Sequence, residues 1–140
     1  MTFAGLMFLS YPRAVRSRIT AVHRLCRHYL AENTSEARAW RLLRNWLSSA
    51  QRVQFDESGC FEVVGCDTGK RYRVYRRVAP NVCELDDAGQ PKEGLCFIPA
   101  GQLVLGDVML AQKVALETDE RSALAAANRF PPGRTSWRPF

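Results

Sequence analysis

The chain has 140 residues and a formal net charge of +6 at pH 7, and 46% of its residues are hydrophobic. This composition is ordinary for a soluble globular protein, and the length suits one domain with a proper core. The positive charge favours anionic partners, which are nucleic acid, acidic proteins or anionic lipid. We predict a single domain over residues 1–130 and an extended or disordered tail over residues 131–140.

The positive charge is concentrated in the first part of the chain. Residues 1–54 contain nine arginines and two acidic residues, whereas residues 55–100 carry a net negative charge. Arginine outnumbers lysine throughout, and its planar guanidinium suits bidentate contacts with phosphate or carboxylate groups. An arginine bias equally reflects a GC-rich genome, so the composition alone does not identify the partner.

The beginning of the chain and the cysteines bear on the cellular compartment. Thr2–Leu9 is apolar, but it is too short to span a bilayer and lacks the basic residues of a signal peptide. The five cysteines form an odd set, which together with the lack of a signal favours a reducing compartment. We therefore expect a cytoplasmic protein.

Two amphipathic helices are predicted before the first strand. The first runs from Tyr11 to Asn33, because apolar residues recur there at three- and four-residue steps. The second runs from Ser35, a plausible N-cap, to Ala50. The short connection predicts an antiparallel helical hairpin. The second helix also carries a basic ridge with a three-residue spacing, formed by Arg38, Arg41 and Arg44.

Four short strands are predicted to follow. Phe61–Gly65 and Arg71–Val78 flank a turn in which Gly69 takes the left-handed conformation. Val82–Leu85 and Leu95–Ile98 are the third and fourth strands, joined by a strong turn cluster. Strands in this order with tight turns predict an antiparallel meander.

A helix is predicted after the strands, from Val108 to about Asn128, with Asp107 as its cap and a bend near Thr118. The fold class is therefore α+β, with two N-terminal helices, a four-stranded antiparallel β-meander and a C-terminal helix. One face of the sheet is expected to pack against the helices.

The second strand of the hairpin carries the main functional pattern. Side chains alternate along a strand, so one face presents Arg71, Arg73, Tyr75 and Arg77. Basic side chains bind phosphates and aromatic rings stack on bases, which predicts a nucleic-acid surface that the basic ridge of the second helix would extend. Glu62 and Glu84 supply the alternative: if Val63 and Cys83 point inward, both acids share this face and pair with its arginines.

Metal binding and catalysis receive little support from the sequence. The cysteines Cys60, Cys66, Cys83 and Cys96 contain no CxxC pair of the kind that structural zinc sites use, so packing is the better interpretation. The two histidines, His23 and His28, lie five residues apart on one helix and cannot form a site alone. The acidic residues Glu117, Asp119 and Glu120 are expected to be solvated. We predict no catalytic residue, no metal site and no cofactor.

Four blocks of the sequence occur together in a recognisable order: GCDTGKRYRVYR, NVCELDDAGQ, LCFIPAG and GDVMLAQKVALETDERSALAAANRF. In this respect the chain resembles a set of short uncharacterised bacterial proteins, from about Trp40 to Phe130. The resemblance implies a stand-alone soluble domain, and it brings no activity, cofactor or catalytic residue.

Three classes of function are compatible with these observations. A non-enzymatic protein-interaction or regulatory module is favoured, with Trp137 and Phe140 of the tail as its docking peptide, because aromatic residues and arginine dominate interface hot spots. A nucleic-acid-binding protein is the alternative, and a small enzyme of unknown class is the third.

Overall fold

The computed structural model of the protein describes residues 13–77, 80–97 and 100–131. The elements in these ranges are α1 (Arg13–Glu32), α2 (Ser35–Trp46), α3 (Ser49–Ser58), β1 (Cys60–Val64), β2 (Arg71–Tyr75), β3 (Val82–Leu85), β4 (Pro91–Cys96), α4 (Leu105–Thr118), α5 (Glu120–Ala126) and β5 (Asn128–Phe130). The chain divides into two compact units, one up to Arg38 and one from Ala39 onward.

The second unit confirms the α+β class and the antiparallel meander. All its strands form one antiparallel sheet in the order β1-β2-β3-β4-β5. The number of strands was predicted wrongly, since β5 adds a fifth strand beside β4. The fourth strand is also shifted, because it runs over Pro91–Cys96 rather than Leu95–Ile98. The single domain predicted for residues 1–130 stays a prediction.

The second predicted helix is in fact two helices. Ser48 breaks it, because its hydroxyl oxygen accepts a hydrogen bond from the Gln51 backbone N–H at 3.2 Å. The Gln51 side chain in turn accepts one from the Ser48 N–H at 3.1 Å. This capping box starts α3. The helix extends beyond the predicted end at Ala50 as far as Ser58, and its C-cap is Gly59, whose φ of 69° lies in the left-handed region.

The predicted C-terminal helix is also divided. Val104 is the N-cap of α4, and Asp107 lies in the first turn instead of capping it. The break falls at Asp119, close to the predicted bend, and the Asp119 carboxylate accepts from the Ser122 N–H at the start of α5. Asn128 was assigned to the helix, but it belongs to β5.

One edge of the sheet is closed by side chains of α3. The backbone N–H of Glu62 on β1 donates to Gln54 Oε1 at 2.9 Å. The Glu62 carbonyl accepts from Gln51 Nε2 at 2.8 Å. Two side-chain amides thus take the hydrogen-bonding positions that a further strand would occupy, which protects an otherwise open edge.

The two faces of the sheet have different cores. The first face meets side chains of α2, α4 and α5 in the main hydrophobic core, which contains Phe61, Val63, Tyr72, Val74, Val82 and Leu95 from the strands. Among the described residues, the second face holds a smaller buried cluster of strand residues, namely Cys60, Tyr75, Cys83 and Leu85. We call these the helix face and the outer face.

Candidate binding site on the outer sheet face

The register of β1 and β2 determines which residues share the outer face. Glu62 lies opposite Arg73, and Cys60 lies opposite Tyr75. Because side chains alternate along a strand, Arg71 projects to the same side as these four. The structure therefore brings together Arg71, Arg73 and Tyr75, as the alternation predicts. The turn residue Gly69 has the expected left-handed conformation, with a φ of 70°.

The Glu62 carboxylate is shared by two arginines. Its Oε2 accepts from Arg71 Nη2 at 2.7 Å, and its Oε1 accepts from Arg73 Nη2 at 3.0 Å. Partial burial opposes the charged carboxylate, but the hydrogen bonds from both guanidinium groups outweigh it and hold the pKa of Glu62 below its usual value. Two positive charges thus face one negative charge, and both guanidinium groups are fixed in position.

Tyr75 and Arg77 form the other end of this surface. The Tyr75 ring is buried, with 4% of the residue exposed. The Arg77 guanidinium lies over the ring at 4.3 Å from its centroid, a cation–π contact. Arg77 Nε also donates to the Pro80 carbonyl at 2.8 Å. The ring is therefore covered on this side by an arginine that is itself anchored.

The placement of Glu84 differs from the prediction. Cys83, not Glu84, lies opposite Arg73 on the outer face, whereas Glu84 pairs with Tyr72 on the helix face. The Glu84 carboxylate is within 3.2 Å of Lys70 Nζ and 3.3 Å of Lys92 Nζ. The prediction that Glu84 shares the outer face required Cys83 to point inward, and this is wrong. Of the two predicted acids, Glu62 is the one that pairs with Arg71 and Arg73.

Two adjoining pockets lie between α3 and β2. One, of about 280 Å³, is lined by Gln54, Glu57, Ser58, Cys60, Phe61, Glu62, Arg73 and Tyr75. The other, of about 310 Å³, is lined by Phe55, Asp56, Glu57, Ser58, Gly59, Tyr75, Arg76 and Arg77. They share Glu57, Ser58 and Tyr75. The α3 residues were missed in the sequence because residues 56–59 resemble a turn, although the Ser48–Gln51 capping box was a readable signal for a helix there.

The other predicted binding residues are distributed differently. Arg38 and Arg41 are exposed on α2. Arg44, the third member of the predicted ridge, forms a bidentate ion pair with Asp56 of α3. Arg76 lies over the Trp40 ring at 4.4 Å. Trp137, Phe140 and the rest of the predicted tail beyond Pro131 lie outside the described residues.

Glu120 corrects the prediction that the acidic residues of the C-terminal helix are solvated. It is fully buried, and its carboxylate reaches the β1–β2 turn. Oε2 accepts from the backbone N–H groups of Asp67 and Thr68 at 2.8 and 2.9 Å. Oε1 accepts from Thr68 Oγ1 at 2.5 Å and Tyr72 Oη at 2.6 Å. Burial opposes ionisation, but these bonds hold the pKa of Glu120 below its usual value.

Ligand-bearing groups of Cys66, Asp67 and Glu120 lie within 4.8 Å of one another, a spacing that a metal ion could bridge. The Glu120 carboxylate already accepts four hydrogen bonds, which fill its acceptor positions. Asp67 Oδ2 accepts from the Arg121 N–H at 3.1 Å. This donor set therefore fits a structural network that joins the turn to α5 better than a metal site.

On the described part of the outer face, the thiols lack the neighbouring base that a nucleophilic site needs. Cys60 Sγ is 3.1 Å from Ser58 Oγ, a weak hydrogen-bonding partner and a poor base. Burial raises the pKa of the Cys83 thiol, which keeps that group protonated and unreactive at neutral pH. Both histidines belong to α1, and the sequence from Ala39 onward contains none.

No protein-family model, curated protein or solved structure matches this chain. Among the residues that the structure describes, no helix has the length and apolar character needed to cross a membrane. The resemblance to uncharacterised bacterial proteins and the cytoplasmic location stay predictions.

Proposed function

We propose that the protein is a non-enzymatic interaction module that binds an acidic segment of a partner protein on its outer sheet face. The observation that carries this proposal is the shared carboxylate of Glu62. Because Arg71 and Arg73 bind one acid between them, the surface keeps an excess positive charge. Each guanidinium also has N–H donors beyond those that Glu62 uses, and these suit a partner carboxylate.

The arrangement lowers the cost of binding. An arginine that is mobile in the free protein loses side-chain entropy when a partner immobilises it, at about 0.5–1.5 kcal/mol for each such side chain. Arg71 and Arg73 are already fixed by Glu62, and Arg77 is already held against Tyr75. Arginine is enriched in interface hot spots, and holding it in position before binding reduces the entropy that binding costs.

The two pockets beside α3 give the partner side chains a place to enter. They adjoin at Glu57, Ser58 and Tyr75 and are bordered by Arg73 and Arg77. A segment that lays a carboxylate on Arg73 can place a neighbouring side chain in either pocket. The tail residues Trp137 and Phe140 are then an additional docking element rather than the main one.

Site-specific photocrosslinking tests the proposal. A photoreactive amino acid at Glu57, which is exposed at the rim of both pockets, is expected to crosslink a partner protein in cells. The same group at Glu117 of α4, which is also exposed and pairs with Lys113, is the matched control.

The crosslink at position 57 should be lost when Arg73 is replaced by Ser and retained in a chain that ends at Phe130. Equal protein adducts from positions 57 and 117, or adducts that survive Arg73→Ser, would exclude the outer face as the binding surface. Loss of the adducts in the shortened chain alone would assign binding to the tail.

Nucleic acid is the second candidate, favoured by the excess charge on the outer face and by the exposed Arg38 and Arg41. The structure argues for phosphate contacts rather than base stacking, because the Tyr75 ring is buried beneath Arg77. Such binding should weaken steeply with salt, and Arg73→Glu combined with Arg77→Glu should reduce it. A mobility-shift titration at low salt that shows no complex with DNA or RNA would reject this candidate.

A further inference from the structure

α1 presents an apolar stripe to solvent. Val22, Leu25, Cys26 and Tyr29 follow the i, i+3, i+4, i+7 spacing that places residues on one side of a helix. Leu30 widens the stripe by one position. Leu25, Tyr29 and Leu30 are 66–69% exposed, and Val22 is 55% exposed. Side chains of this size in a continuous stripe usually mark an interaction surface.

The remainder of α1 is strongly basic. The helix contains five arginines and a single acidic residue, Glu32. At 3.6 residues per turn, Arg24 and Arg27 lie on the side opposite the stripe, and His23 lies at the border between the two sides, next to Leu30. All three are exposed and border one shallow surface depression with Thr20. The helix therefore combines an apolar side with a cationic side.

We propose that α1 binds the surface of an anionic lipid bilayer, lying parallel to the membrane plane. In that position the stripe from Val22 to Leu30 enters the boundary between head groups and acyl chains. Arg24 and Arg27 remain at the level of the lipid phosphates. A cationic, amphipathic helix of low overall hydrophobicity is the usual form of such a peripheral membrane element.

The charge pattern distinguishes the bilayer from other occupants. A nucleic acid would satisfy the arginines but leave the stripe in water. A second copy of α1 would bury the stripe, but it would bring two helices of net charge +4 together and oppose its own association. An anionic bilayer satisfies both sides at once, because its head groups attract the arginines and its acyl boundary accepts the apolar residues.

Vesicle sedimentation with the full chain tests this assignment. The probes are vesicles of phosphatidylglycerol and phosphatidylcholine in a 3:7 ratio and vesicles of pure phosphatidylcholine. We expect partition into the anionic vesicles to be at least about tenfold tighter. Most of that preference should be lost at about 0.5 M salt, because salt screens the surface charges.

Two double variants separate the contributions. Leu25→Glu with Tyr29→Glu removes the stripe and should abolish binding to both vesicles. Arg24→Glu with Arg27→Glu should abolish the anionic preference. Leu103→Glu, an exposed apolar residue in the second unit, is the matched control and should bind as the wild type does. Circular dichroism and urea unfolding establish that each variant retains the folded second unit.

The two exposed cysteines provide a local reporter. Cys26 lies in the stripe and Cys66 lies in the β1–β2 turn. An environment-sensitive dye on Cys26, with Cys66 replaced by serine, should shift to shorter emission wavelength on anionic vesicles. The same dye on Cys66, with Cys26 replaced by serine, should show no shift.

Several outcomes would overturn the proposal. These are equal partition into both vesicles, a shift from Cys66 equal to that from Cys26, or wild-type vesicle binding by the Leu25→Glu, Tyr29→Glu variant. RNA binding that needs Arg24 and Arg27 but not the stripe, with no vesicle binding, would assign α1 to nucleic acid instead.

Discussion

Two glutamates, Glu120 and Glu62, show how differently this domain uses a carboxylate. Glu120 is fully buried and is bound by neutral donors, two backbone N–H groups and two hydroxyls. Glu62 lies at the surface, with 23% of its side chain exposed, and is bound by two charged guanidinium groups. Both carboxylates have a pKa below the usual value, but for different reasons.

The difference separates a structural site from a candidate binding site. Bonds from the backbone of the β1–β2 turn to Glu120 tie three elements together, because the turn, Tyr72 of β2 and the start of α5 all meet at one carboxylate. The bonds to Glu62 connect only side chains that solvent can reach, and a ligand can compete for them. Mutations at the two sites should therefore have effects of different size and kind.

The largest effect is expected for Gly65→Ala. A Cβ atom at Gly65 would overlap the Glu120 carboxylate, so the carboxylate must leave its four donors or the turn must move. Disrupting a buried charged network costs roughly 3–5 kcal/mol, which urea unfolding would measure.

The matched control for Gly65→Ala is Gly69→Ala in the same turn. A Cβ atom at Gly69 meets open space, and only its φ of 70° opposes alanine, which costs about 1 kcal/mol. Equal losses of stability in the two variants would contradict the close approach of Gly65 to Glu120.

The next largest loss of stability is expected for Glu120→Gln, and it depends on pH. The folded-state pKa of Glu120 is lowered. Its contribution to the free energy of unfolding is therefore complete above the unfolded-state pKa of about 4.3, and it is lost as pH falls through the folded-state pKa. The variant should lose about 2–3 kcal/mol near neutral pH, because its amide N–H groups face other donors. Its unfolding free energy should also fall less on acidification than that of the wild type, and an unchanged acid dependence would contradict this role.

An effect of similar or smaller size is expected for Tyr72→Phe. Its hydroxyl donates to Glu120 Oε1 at 2.6 Å, and a hydrogen bond to a charged group contributes about 1.5–3 kcal/mol. A double-mutant cycle with Glu120→Gln measures the coupling between the two groups. The double variant should lose less stability than the sum of the two single losses. A loss equal to that sum would show that the bond between the two groups does not contribute.

The smallest effect on stability is expected for Glu62→Gln, within about 1 kcal/mol, as for other exposed ion pairs. Binding should instead be strengthened by this variant, because Arg71 and Arg73 lose the negative charge that neutralises them within the protein. Affinity for an acidic partner or for nucleic acid should rise, which titration at two salt concentrations would detect. A fall in affinity would show that the fixing of Arg71 and Arg73 by Glu62 contributes more to binding than the positive charge that the variant gains.

The sequence predicted those parts of the fold that local patterns determine. Alternating residues located the β1–β2 hairpin, the turn residue Gly69 was assigned its left-handed conformation, and Val82–Leu85 was placed correctly. The break at Ser48 and the strand β5 were missed. β5 has only three residues, too few to show a period, and it exists because β4 offers it an edge.

The sequence predicted which basic and aromatic residues share the outer face, but not which acidic residues pair with them. Alternation placed Arg71, Arg73 and Tyr75 on one face, yet the pairing of that face depended on the register of β3, which put Cys83 rather than Glu84 beside Arg73. The burial of Glu120 could not be predicted at all, because its donors lie about fifty residues earlier in the chain. Long-range contacts of this kind leave no local pattern.

The glutamine amides at the edge of β1 have a consequence for hydrogen exchange. An outer-strand amide normally exchanges with solvent quickly, but the Glu62 N–H is bound to Gln54 Oε1. Its exchange therefore requires α3 to separate from the strand, so its protection factor reports the local opening free energy of that helix. One amide signal thus measures how firmly α3, the wall of both pockets, is held against the sheet.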